Sequence, residues 1–123
     1  MNKTFHTTIP QNYFMSWFIT TQAANKISVK LWDNTKTYVN ACKQSTNIDP
    51  PLACGYAKVG GNNLSLTVDV PNACNLLGTP HSNDIITDDG KVVGKEYTLC
   101  LEDSTDNDYN DIAISIVAWK NKG

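Results

Sequence analysis

The sequence predicts an all-β fold, a small antiparallel β-sandwich with Greek-key connections, on three observations. Helical periodicity is nearly absent, short stretches of alternating apolar and polar residues recur, and Gly, Pro, Asn and Asp separate them. Residues 14–21 open the series as a strand, and residues 27–31 follow, with Ile27, Val29 and Leu31 on one face. Asp33-Asn34 turns the chain into residues 37–41. The segment 42–61 is the least regular and carries no strand assignment. Beyond Gly60-Gly61-Asn62-Asn63, residues 64–70 place Leu64, Leu66, Val68 and Val70 on alternate positions. Residues 85–87 and 96–101 are weaker strands, and residues 112–116 close the series with Ile112, Ile114 and Ile116. About seven strands suit a sandwich.

A chain of 123 residues, 41% hydrophobic, suits a single domain over residues 1–123. The formal net charge is −2 and all ten basic residues are Lys. Without Arg or clustered positive charge, nucleic acid is excluded as a partner. No stretch approaches the roughly 20 apolar residues that cross a bilayer, so no membrane insertion is expected. The first residues lack the charged start and apolar run of a secretory signal. The expectation is a secreted or cell-surface protein, either in mature form or exported by another route, with a cytoplasmic pool left open. Four Cys at 42, 54, 74 and 100, without a C-x-x-C pair, fit two disulfides better than zinc. The pairs expected are Cys42 with Cys54 and Cys74 with Cys100; ordinary thiols are the alternative.

One segment carries chemistry. Between Glu102 and Asp111 lie five of the twelve carboxylates, and no Lys falls between Lys95 and Lys120. Like charges so crowded raise one another's pKa values unless a cation compensates. Hard carboxylate and amide oxygens without thiolate or imidazole select Ca²⁺. Asp106, Asp108 and Asn110 alternate and can aim at one locus, with Glu102 and Asp111 closing the ends, for one ion or two. An EF-hand is ruled out: counted from Asp106, Asp111 stands where Gly is required and Val117 where Glu is required. A solvated acidic turn is the plain alternative.

The string from Glu102 to Asp111, followed by an alternating apolar strand and Trp119, resembles the calcium loop of the bacterial fucose- and mannose-binding lectins of the PA-IIL (LecB-like) family. Ile9-Pro10-Gln11-Asn12, the strand through Phe18, Gln22-Ala23-Ala24-Asn25 and residues 27–34 are similar to that family's N-terminal strand, sugar-specificity loop and next strand. The resemblance implies a lectin-like sandwich that binds sugar without catalysis. It implies two Ca²⁺ per subunit, with Glu102, Asp106, Asp108, Asn110 and Asp111 as side-chain ligands and Gln22 offering its main-chain carbonyl. Asp103, Ser104 and Thr105 would border the sugar. Ala23, Ala24 and Asn25 fall where members tune preference, and Ala-Ala-Asn resembles the mannose-preferring type, with fucose second. The family's terminal Gly carboxylate reaches a partner subunit's calcium site, a role that falls to Gly123 here and implies a homo-oligomer, dimer or tetramer.

Other constellations carry less. His6 and His81 have no nucleophile motif beside them. A glycosidase needs one protonated and one ionised acid, and calcium would hold the loop acids ionised, so no enzyme activity is expected. Trp119 is assigned to the core or an interface. The competing class of function is a calcium-stabilised structural or adhesive module that binds no sugar.

Overall fold

The computed structural model describes residues 1–104 and 108–123. Among these, ten strands and no helix occur: β1 (Asn2–His6), β2 (Phe14–Thr21), β3 (Ala23–Trp32), β4 (Thr37–Ser45), β5 (Ala53–Lys58), β6 (Ser65–Asp69), β7 (Leu77–Gly78), β8 (His81–Ile86), β9 (Val92–Glu102) and β10 (Ile112–Trp119). All pairings are antiparallel. One sheet has the order β1-β6-β3-β4, the other β5-β2-β10-β9, with β7 and β8 following one another along the free edge of β9. The expected antiparallel sandwich is therefore the fold.

Period-2 alternation decides which face of each strand is buried. Ile27, Val29 and Leu31 of β3 and Leu66 and Val68 of β6 meet Met15 and Ile19 of β2, Leu99 and Leu101 of β9, and Ile112, Ile114 and Ile116 of β10. Each such side chain contributes about 1.5–3 kcal/mol on leaving water. A one-residue slip of β10 would turn three isoleucines outward, so its register with both neighbours is fixed. That register pairs Ile112 with Thr21 on one side and Leu101 on the other. It sets the segment after β9 beside Gln22, the single residue joining β2 to β3 as the chain crosses between sheets.

Three strands were not foreseen. β1 is an edge strand with mostly exposed polar side chains, so no buried face marks it. β5 holds only small residues on its inward face, where Gly55 admits Trp17: a Cβ there would stand 2.7 Å from the Trp17 ring. β7 is two residues long.

The expected disulfides are corrected: Cys42, Cys54, Cys74 and Cys100 are all free. Cys42 lies on the outward face of β4, opposite in sense to Val39 and Ala41, and Cys54 on the outward face of β5 with Tyr56. They belong to different sheets and point away from each other, a geometry no disulfide can span. Cys74 is exposed ahead of β7, while Cys100 alternates with inward Leu99 and Leu101 and so faces out. Trp119 is likewise outward and 44% exposed, which removes the core assignment. Dithiothreitol is expected to leave the melting temperature of the purified protein unchanged; a clear fall would reveal a bond between cysteines that are free here.

Candidate functional site

At one end of the sandwich, the segment between β9 and β10, the crossover at Gln22 and the end of β4 surround a cleft of about 420 Å³. Of the residues singled out from the sequence, Gln22, Ala23, Ala24, Asn25, Asp103, Ser104, Asp108, Asn110 and Asp111 line it. Glu102 is fully buried beneath. Asp106 and Thr105 lie outside the described residues. Gly123 is not in the cleft of its own chain, because β10 starts at the cleft and carries the terminus roughly 25 Å away at 3.3 Å per residue. Thr46 also lines the cleft and was missed. It comes from the irregular stretch after β4, where no periodic signal could place it.

The carboxylates are held by short local bonds. Glu102 Oε2 accepts from the Ser104 amide (3.2 Å) and hydroxyl (2.9 Å), and Oε1 from the Tyr109 amide (3.0 Å). Tyr109 reaches that position with φ of 54°, a left-handed conformation that costs a non-glycine residue about 1–3 kcal/mol. Asp111 Oδ2 accepts from the Asp103 amide at 2.9 Å. Asn25 Nδ2 donates to Asp103 Oδ2 at 3.1 Å, tying the crossover to the acidic segment, and the Gln22 amide donates to the Asp111 carbonyl at 2.9 Å.

Glu102, Asp108 and Asp111 each offer an oxygen within 4.8 Å of the others. Oxygens around one Ca²⁺ lie about 2.3–2.6 Å from it, so no two stand more than about 5 Å apart. The donor set fits such an ion in spacing and in chemistry, all three being hard oxygens. Burial pushes the Asp111 carboxyl up to about 7, with the side chain of Asp103 and the charge of Glu102 adding to the rise. Asp33, equally buried at the β3–β4 turn, behaves in the opposite way. Burial raises it too, but hydrogen bonds from Thr35, Tyr38 and Lys36 outweigh that and hold it well below the ordinary carboxylate range. Asp33 is satisfied by donors, whereas Asp111 is short of positive charge.

No family model and no curated protein sequence matches the chain; the similarity found is to solved structures. The Chromobacterium violaceum lectin CV2L, in complex with alpha-methyl-fucoside, superposes with a TM-score of 0.66 over 93% of each chain at 15% identity. The Ralstonia solanacearum high-affinity mannose-binding lectin gives 0.66 over 93% of each chain at 22% identity. The C-terminal domain of the BC2L-C lectin from Burkholderia cenocepacia gives 0.66 over 95% of this chain and 97% of that one, at 20% identity. The chain therefore shares the fold of these bacterial lectins over 93–95% of its length.

The Asp111 shift makes a pH test. Its folded value lies above the ordinary 3.8, so the folded chain holds an extra proton between about pH 4 and 7 and loses stability as pH rises through that window. In chelator, Asp111→Asn is expected to melt above the wild type at about pH 8, with the gap closing near pH 5. A gap that does not change with pH would remove the assigned cause.

Proposed function

We propose that the chain is a calcium-dependent lectin that binds terminal monosaccharides of glycans, mannose in preference to fucose, without catalysing a reaction. The observation that carries this is the convergence of Glu102, Asp108 and Asp111 at the floor of a cleft whose wall is the segment 22–25. Glu102, Asp108, Asn110 and Asp111, with Asp106 and the Gln22 carbonyl, hold two Ca²⁺. Bound there, the ions offer positions that sugar hydroxyls fill, a stronger attraction than hydrogen bonds give a neutral, well-hydrated ligand. Asp103, Ser104 and Thr105 border the sugar, and Ala23, Ala24 and Asn25 select it by shape.

The fold shared with a mannose-binding lectin and with a lectin holding alpha-methyl-fucoside supports the sugar class. Self-association is part of the proposal. Gly123 lies away from its own cleft, so a role for it at such a site would be played in a second copy. The outward face of the sheet beside it also exposes Phe18, Tyr56 and Trp119, an apolar surface suited to burial against another copy. Several weak sites on one assembly then gain by effective concentration. Secretion or surface display, where glycans are met, completes the reading.

Calorimetry with methyl mannoside is expected to show binding in Ca²⁺ and none in chelator; Ca²⁺-dependent melting with no sugar heat would instead favour a structural module. Asp108→Ala, exposed and therefore tolerable to the fold, is expected to lose both Ca²⁺ and sugar while its melting point in chelator stays at the wild-type value. Ala23→Ser with Asn25→Gly, which removes the bond to Asp103, is expected to move the inhibition ranking from mannose toward fucose. An unaltered ranking would separate the segment from selectivity.

A further inference from the structure

The stretch joining β4 to β5 turns several backbone carbonyls toward a single point, and that point is occupied by an ammonium group. Lys43 Nζ lies 2.6 Å from the Asn47 carbonyl, 2.6 Å from that of Pro50, 3.3 Å from that of Ile48 and 3.5 Å from that of Thr21. Carbonyl dipoles aimed at one another repel, so a loop in this shape depends on the cation at its centre. An ammonium is a compact point charge with three donors, suited to such a cage, whereas a planar guanidinium is not.

We propose that Lys43 is a positioning residue for the sugar cleft, an inference that rests on the lectin reading above. Its cage joins two walls of the cleft. Thr21 directly precedes Gln22, and Asn47 and Ile48 directly follow Thr46, which lines the cleft beside it where Ala23 pairs with Ser45. The neighbours of Lys43 reinforce the link: Gln44 Nε2 donates to the Ala24 carbonyl at 3.0 Å, and the Asn47 amide donates to Ser45 Oγ at 3.0 Å, closing a turn around Thr46. Lys43 itself touches none of Glu102, Asp108 and Asp111 through these bonds. Its removal therefore loosens the Thr46 wall and leaves the carboxylate floor in place.

The test is calorimetry on Lys43→Met, with Lys91→Met, an exposed lysine ahead of β9, as the control for lost charge. Lys43→Met is expected to lower methyl mannoside affinity by about 3- to 30-fold, the range for residues that act on a ligand without touching it. Ca²⁺ affinity measured without sugar should stay at the wild-type value, and Lys91→Met should change neither. Hydrogen exchange in residues 46–49 should quicken in Lys43→Met alone. In a Thr46→Ala background the Lys43→Met loss should shrink, since both act through one wall. Lys43→Gln, which keeps a shorter donor, should give a smaller loss and serves if Lys43→Met does not fold. Wild-type sugar affinity in both Lys43 variants overturns the inference, as does equal loss of Ca²⁺ and sugar. A wild-type chain that binds no mannoside overturns the lectin reading and, with it, the role in sugar binding; quickened exchange at 46–49 would still report the cage.

Discussion

Buried negative charge at the ends of a β-sandwich must be met by donors or by a cation, and this constraint organises the molecule. Asp33 and Asp111 are 5% and 7% exposed, both at strand ends, yet they are treated oppositely. Asp33 receives amides from Thr35 (2.7 Å), Lys36 (3.0 Å) and Gly61 (3.0 Å) together with two hydroxyls, and it pins one turn to another. Among the described residues Asp111 receives the Asp103 amide and faces the carboxyls of Asp103, Glu102 and Asp108. The first is a finished structural element; the second is left facing like charge, a shortage that the proposed ions would meet.

The fold supplies the convergence. β10 is the hinge of the arrangement because its three buried isoleucines lock it between β2 and β9. Once that register is set, the acidic segment must emerge beside the crossover at Gln22, and the pairing of Ala23 with Ser45 brings the end of β4 to the same place. Three connections distant in sequence become the floor and walls of one cleft. The hydrogen bond from Asn25 to Asp103, spanning 78 residues, joins the wall to the floor.

Much of this is legible in the sequence alone. The strands with a clean two-residue period and one wet face, such as residues 27–31 and 112–116, lie where alternation places them, because burial of that face is what forms them. The strands that escaped are those whose residues say little about burial. β1 is polar at an open edge, and β5 carries Ala, Gly and Ala inward against Trp17. The disulfide expectation failed for a related reason, since spacing along the chain cannot tell that Cys42 and Cys54 face outward from separate sheets. In the site, the density of carboxylates from Glu102 to Asp111 is a local property and stood out. Thr46 and the Lys43 cage depend on how an irregular loop folds back, which no local pattern encodes. Asp106 and Thr105 lie outside the described residues.

The central proposal is that Glu102, Asp108 and Asp111 cage divalent ions whose remaining positions a pyranose fills. A crystal grown with Ca²⁺ and methyl mannoside, examined by anomalous scattering, tests it most directly. The account predicts ion peaks about 2.3–2.6 Å from oxygens of Glu102, Asp108 and Asp111, with sugar hydroxyls completing the shell. A cleft free of anomalous density, with mannoside absent or held by protein groups alone, would contradict it.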